Sequence, residues 1–250
     1  MAPLASVGYR VHRPSTAVGS DSSVVFGLSL VGFSELQGRG GAMMNRKQKR
    51  YEDILDVASR MFLEKGYERT TIQDIAEAIG VLKGSLYYYI DAKEDLLYDI
   101  IRINHENLVA SMVEALETES TRTSTEQVRV FLANHIEFVL RNAEHSAAFQ
   151  FEFRSLSPQR QAEIIQYRRT YGARLTHLLT TAQSNGELCA NLNPGVASRA
   201  LLSMFNSVLR WYRPSGDLDA DDIAWQYTEL AMRATATPSS ESSIPQEVQL

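Results

Sequence analysis

Cysteine is almost missing from this chain: Cys189 is the one such residue in 250. Neither a disulfide framework nor a cysteine-rich zinc site can be built from it, and so thiol-poor a chain fits the reducing cytoplasm. The five histidines (His12, His105, His135, His145, His177) fall at no metal-ligand spacing such as His-x-x-x-His, so no metal site is expected. A Gly-rich phosphate loop and a Gly-x-Ser-x-Gly elbow are also lacking, and Cys189 has no obvious histidine partner for nucleophilic work. These absences argue against an enzyme, and no cofactor is expected. Long apolar runs are missing too, the stretch Val24 to Phe33 being too short to span a bilayer. Positive charge is not in excess. With 25 Lys and Arg against 30 Asp and Glu, the formal net charge is −5. That excludes a protein that coats nucleic acid by charge alone, but not one whose few basic residues act locally. No convincing strand pattern occurs and no internal repeat, so the reading is all-α.

What is present is concentrated between Thr70 and Leu97. Thr71 with Asp74 forms a capping box ahead of Ile72, Ile75, Ala76 and Ile79, whose spacing gives one apolar helix face. Gly80 can turn the chain at that helix's end. After Val81-Leu82, the segment Lys83 to Tyr89 is expected to be a second helix of about two turns. Asp91 with Glu94 reads as another capping box, opening a long helix. Two helices joined by a short Gly-containing turn make the helix-turn-helix plan, whose second helix enters the DNA major groove. That helix carries Lys83, Gly84, Ser85 and three tyrosines. Tyr87 is expected to pack inward, Tyr88 and Tyr89 to face outward. Upstream, Tyr51, Ile54, Leu55, Ala58, Met61 and Phe62 mark the inner face of a first helix that Gly66 ends. The basic cluster Arg46, Lys47, Lys49 and Arg50 precedes it. Singly, each is a solvated charge; together, they suit phosphate or minor-groove contact.

Residues 46–98 resemble the DNA-binding domain of the TetR family of transcriptional regulators along their whole length. The matching features are Phe-x-x-x-Gly-Tyr (Phe62 to Tyr67), Thr70-Thr71, Ile75-Ala76, Gly80-Val81, Leu86-Tyr87-Tyr88 and Lys93-Glu94. Two departures stand out: Leu82 occupies a place where the family often has a capping Ser or Thr, and Ile90 replaces a common Phe. The resemblance implies that Lys83, Gly84 and Ser85 approach DNA, Lys83 donating to guanine acceptors and Gly84 allowing close approach. It implies phosphate contacts from Thr71, Tyr88, Tyr89 and Lys93, with Arg46 and Lys47 from the basic arm.

The rest of the chain reads as further helices. Helix four is expected from about Ala92 to near Glu119, followed by a polar loop and a helix from about Glu126 to Asn142. Ser157-Pro158 starts a long helix that Asn185-Gly186 stops, and Asn193-Pro194 starts another reaching about Tyr212. Asp219 with Asp222 opens the last, with Ile223, Tyr227, Leu230 and Ala234 as its apolar stripe. These two closing helices, about 194–213 and 220–235, carry surplus apolar surface and are expected to join two copies in a homodimer. The expected domains are an N-terminal extension without structure (1–43), a three-helix DNA-binding head (44–91), a helical ligand-binding and dimerisation body (92–236) and a tail (237–250).

The family resemblance further implies a repressor that binds a pseudo-palindromic operator and is released by a hydrophobic small molecule. Phe131, Phe138, Phe149, Phe153, Tyr167 and Tyr171 are the candidate pocket aromatics, each equally readable as core. The stretch from Leu209 resembles a subgroup of repressors of sterol-ring and fatty-acid degradation that respond to acyl-CoA thioesters. Arg210 and Arg213, with Arg168, Arg169 or Arg174, would then meet the CoA phosphates. Two alternatives remain open: a regulator of efflux or stress genes sensing a drug-like compound, and a helical dimerisation module without DNA binding.

Overall fold

The computed structural model describes residues 40–117, 123–213 and 215–237. The expectations for residues 1–39, for the loop at 118–122 and for the tail from 238 onward lie outside them, as does Pro214. Every regular element among the described residues is helical: α1 (Gly40–Lys65), α2 (Ile72–Ile79), α3 (Lys83–Leu86), α4 (Lys93–Glu117), α5 (Ser124–Arg141), α6 (Ala143–Ala147), α7 (Pro158–Ser184), α8 (Pro194–Asn206) and α9 (Ala220–Thr235). A π-helical turn (Ala148–Glu152) and 3-10 turns (Phe153–Ser155, Ser207–Arg210) fill the gaps after α6 and α8. No helix among the described residues is long and apolar enough to cross a membrane.

Local signals account for most boundaries. Thr71 caps α2 with the anticipated box: its hydroxyl accepts from Asp74 N at 3.1 Å while Asp74 Oδ2 accepts from Thr71 N at 2.9 Å. Gly80 ends α2 at φ +73°, and Val81 N reaches back to Ala76 O at 2.9 Å. A side chain there would meet no steric clash, so the demand for glycine is purely one of backbone conformation. Asn193 Oδ1 accepts from Val196 N ahead of α8, and Asp219 Oδ1 accepts from Asp221 N and Asp222 N ahead of α9.

Four expectations are corrected. Helix α1 begins at Gly40, so residues 40–43 of the expected unstructured extension are helical; extending an existing helix costs far less than starting one. Helix α3 is a single turn, continued through Tyr89 by shorter-range bonds such as Tyr89 N to Leu86 O at 2.8 Å. Its N-cap, Leu82, offers no side-chain bond. The box at the start of α4 is made by Asp95, not Glu94: Asp95 Oδ2 accepts from Asp91 N and Ala92 N at 3.0 and 2.8 Å. On α9 the buried face is Ile223, Ala224, Thr228, Ala231 and Met232, while Leu230 and Ala234 are exposed.

Two apolar cores result. One joins α1, α2 and α3 to the first two turns of α4 and takes in Ala148, Leu156 and Ile164. The other is built from the later part of α4 with α5, α7, α8 and α9. Helix α5 lies at its centre, packed on α4, α7 and α9. Since α4 and α7 serve both cores, the head is not an independent ball on a tether.

Candidate nucleic-acid interface and effector cavity

In the head, Leu86 is the anchor of α3: it is wholly buried, which turns Lys83, Gly84, Ser85, Tyr87 and Tyr88 outward. Tyr87 is therefore exposed, contrary to expectation, and the packing tyrosine is Tyr89, half-buried and stacked on Tyr51 at 6.2 Å. Helical geometry gives the reason. With Leu86 inward, Tyr87 and Tyr88 swing to the far side, while Tyr89, three residues on, returns to the buried side. Tyr88 stays 69% exposed with its ring edge-on to Tyr89. Lys47 Nζ sits 4.4 Å from the centre of the Tyr88 ring, so the basic arm is brought to the same surface as α3. Arg46 beside it is exposed. Thr71 is exposed at the N-terminus of α2, where the helix dipole favours anions. Its neighbour Thr70 is buried, donating to Gly66 O at 2.9 Å. Hydroxyls, two ammonium groups and a glycine that presents open backbone are thus all exposed, with Lys47 drawn against Tyr88 of the same segment as Lys83, Gly84 and Ser85.

Lys93 does not join these groups as expected. Its ammonium donates to Tyr67 O and Thr70 O at 2.8 and 3.0 Å and covers the Tyr67 ring at 4.1 Å. These carbonyls close the turn between α1 and α2, so Lys93 clasps that turn to the start of α4. Next to it, Glu94 accepts from Ser157 N at 2.8 Å, and Arg160 pairs with Asp95 at 2.6 Å and Glu94 at 3.5 Å. Ser157 N–H and the Arg160 guanidinium hold both carboxyl groups below the ordinary range. The N-termini of α4 and α7 are thereby locked together directly behind the head. Tyr51 adds a second tie, donating to Asp99 on α4 at 2.6 Å, with Asp99 in turn bound by Arg102.

Along α7, eight residues beyond Arg160 and so about 12 Å away, Arg168 enters a cavity of about 910 Å³. Helices α4, α5, α7 and α8 and the π-turn wall it, and it opens to solvent. Of the expected ligand residues, Phe149, Tyr171 and Arg210 line this cavity. Phe131, Phe138, Phe153, Tyr167 and Arg174 do not. Phe131 is wholly buried in the body's core against Tyr171 at 4.9 Å, and Phe138 is buried in the same core. Phe153 takes the Arg168 guanidinium over its ring at 4.0 Å, and Tyr167 lies behind His105, stacked at 5.1 Å. Arg174 is solvent-exposed elsewhere on α7. The four aromatics are turned toward packing partners and Arg174 toward water, a matter decided by the neighbouring elements and not by the residue's own neighbours in sequence.

Sequence reasoning missed Asn104, His105 and His135, all buried and all lining the cavity. A signal existed. Asn104 and His105 follow Ile100 and Ile101 by four residues, and His135 follows Phe131 by four, so polar groups occupy places on apolar faces. Burial holds both histidines down to about 4 from 6.5, helped at His105 by the Arg168 charge and only partly offset at His135 by the Asn206 amide. Burial likewise pushes the Tyr171 phenol up, so its hydroxyl stays protonated, 3.1 Å from His135 Nδ1. Burial lowers Arg168 to about 10, still charged at neutral pH.

A pH dependence follows. The unfolded chain takes up protons on these histidines near 6.5, and the folded chain only near 4. Folding stability is therefore full above pH 6.5 and declines as the pH falls toward 4. The depressed carboxylates act lower, below their ordinary 3.8 to 4.5, and leave the upper part of this window to the histidines. Urea midpoints should be lower at pH 5 than at pH 7, with His135→Gln flattening the slope; identical midpoints for wild type at the two pH values contradict it.

Among the described residues, no group of three His, Cys, Asp or Glu side chains is arranged to hold a metal. Comparison with known proteins gives matches at both ends. Residues 54–100 match the family model described as bacterial regulatory proteins, tetR family, and residues 121–235 match the one described as tetracyclin repressor-like, C-terminal domain. The HTH-type transcriptional repressor KstR2 of Rhodococcus jostii is 28% identical over 195 residues, 77% of this chain and 94% of that protein. The crystal structure of a TetR family transcriptional regulator, PfmR from Thermus thermophilus, is 33% identical, covering 72% of this chain and 97% of that one, with a TM-score of 0.66. That of AibR in complex with isovaleryl coenzyme A and operator DNA is 26% identical over 72% and 97% of the respective chains, with a TM-score of 0.65.

Proposed function

The chain belongs to the TetR family of bacterial regulatory proteins, and we propose that it is a cytoplasmic repressor that binds a pseudo-palindromic operator as a homodimer and is released by an acyl-CoA thioester. The observation that carries this reading is the pairing of an exposed hydroxyl- and lysine-bearing α3 with a cavity reached through the same helix pair that locks the head, α4 and α7. In this reading the head, about 44–91, presents Lys83 and Gly84 to base edges. Ser85, Tyr88, Thr71 and the arm residues Arg46 and Lys47 meet phosphates, as does the hydroxyl of half-buried Tyr89. The body, about 92–236, senses the effector. Two features favour a CoA thioester over a purely apolar drug-like compound. The exposed arginines Arg169, Arg199 and Arg210 belong to the cavity wall, where guanidinium groups suit phosphates. The similar protein AibR is described with isovaleryl coenzyme A.

Release requires that the effector bind the non-DNA conformation better, since equal binding to both shifts nothing. The Glu94–Arg160–Asp95 lock supplies the route: an effector that displaces α7 at Arg168 carries the start of α4, and with it the head.

The direct test uses operator DNA captured by the protein from genomic fragments. Tyr88→Phe, which removes one phosphate contact, is expected to weaken all sites alike. Lys83→Ala is expected to cost about 1–3 kcal/mol per half-site and to relax the base preference there. Sequence-blind losses of the same size from both variants would remove Lys83 from the role of base reader. Adding an acyl-CoA should release the DNA from the wild type, and retention at saturating concentrations of a length series of thioesters would refute that effector class.

A further inference from the structure

Four buried polar atoms on side chains lining the cavity have no hydrogen-bond partner at bonding distance: Arg168 Nε, His105 Nδ1, His135 Nε2 and Ser146 Oγ. The first three belong to one continuous row. The Arg168 guanidinium covers Phe149 at 4.6 Å, Phe149 stacks on His105 at 5.9 Å, His105 meets Tyr171 edge-on at 6.0 Å, and the Tyr171 hydroxyl lies against His135 Nδ1. Where that hydroxyl donates to Nδ1, the ring proton of His135 sits on Nε2, with the Asn206 amide, another cavity-lining group, as its neighbour in the chain. Such atoms have given up hydration for little return within the chain, and native interiors hold few of them. Four in one cavity mark a surface shaped for an outside group.

Charge narrows what that group is. The charged group acting on Arg168 is another cation, Arg154, and its only bond from the guanidinium Nη2 goes to a backbone carbonyl, Phe149 O. A part-buried cation without an anion beside it is unfavourable, and an entering carboxylate relieves it while forming a charge-assisted hydrogen bond at Nε. The other arginines of the wall, Arg169, Arg199 and Arg210, are solvent-exposed. The cavity thus has two stations for negative charge at different depths. Leu108, Val139 and Leu202 add apolar wall for a hydrocarbon segment.

We propose that the inner row receives a second acidic group, so that the effector is a CoA thioester whose acyl part ends in a carboxylate, seated on Arg168. This rests on the acyl-CoA reading above. The exposed arginines then take the nucleotide phosphates while Arg168 reads the far end of the acyl chain. A thioester ending in a methyl group leaves the Arg168 charge unrelieved, and a site built for a polar group discriminates strongly against an analogue that lacks it.

Calorimetric titration of the full chain with octanoyl-CoA, suberyl-CoA (the same chain with a terminal carboxylate), free octanoate, free suberate and CoA separates the possibilities. Wild type should bind suberyl-CoA about tenfold or more tightly than octanoyl-CoA. Arg168→Gln should abolish the preference, bringing the two thioesters to equal affinity, and Arg168→Lys, which keeps the cation, should retain part of it. Equal affinities of the two thioesters for wild type, or a preference that survives Arg168→Gln, would overturn the inner site while leaving the acyl-CoA reading intact. If no thioester binds but suberate binds in an Arg168-dependent way, the inner site stands and the acyl-CoA reading falls. If nothing binds, both fall. Should Arg168→Gln fail to fold, the wild-type comparison and Arg168→Lys decide the matter.

Discussion

Trp225→Glu should turn a dimer into a monomer and lower operator affinity by about two to four orders of magnitude, the range by which a linked second contact raises binding over a single one. Trp225 is 63% exposed on α9, and Leu230, at 57%, and Leu218, at 60%, stand with it beside Trp211 around a shallow trough. A monomer rarely leaves two tryptophans and two leucines together in water. A two-fold arrangement in which each copy lays this patch on the other removes them from solvent and sets two α3 helices at matched half-sites. Because Trp225 makes no part of the core, the glutamate should leave helix content and the unfolding midpoint of the isolated chain nearly intact while placing two like charges across the contact. Sedimentation and operator titration check the two halves together. A wild type that sediments as a monomer, or a Trp225→Glu protein that remains dimeric with full affinity, removes α8 and α9 as the joint.

Phe131→Ala is expected to cost about 3–5 kcal/mol of folding stability, a large share of what holds a domain together. Phe131 is wholly buried on α5, the helix that touches α4, α7 and α9, and truncating it leaves a void beneath Tyr171 that rigid helix backbones cannot close. By position in sequence it is as good a pocket residue as Phe149; by position in space it is a keystone. Urea unfolding should therefore shift strongly, with whatever protein remains folded still binding its effector. An unchanged midpoint combined with collapsed effector affinity would return Phe131 to the pocket and contradict the packing described here.

The head was legible because its information is short-range. The Thr71–Asp74 box, the φ demand at Gly80, the apolar spacing of α1 and the matched run through Lys93-Glu94 each involve residues within a turn or two of one another. The errors there are also instructive. Asp95 displaces Glu94 from the cap because Glu94 is claimed by Ser157 and Arg160, residues more than sixty positions away. Tyr87 and Tyr89 exchange roles because Leu86 settles which way the short α3 is rolled.

In the body, the residues alone determined that there are long amphipathic helices, where their caps fall and that the closing pair carries more apolar surface than one face can bury. Only the tertiary structure decided which of those surfaces faces a neighbour, a cavity or water. It made Phe131 and Phe138 core, set Phe149 and Tyr171 on a cavity wall, left Arg168 half-buried with another cation as its charged neighbour and kept Trp225 outside. The physical reason is one of range. A helix is specified by bonds between residues four apart, whereas its rotation about its own axis is settled by burial summed over every helix it touches, a quantity that no single segment of the chain contains.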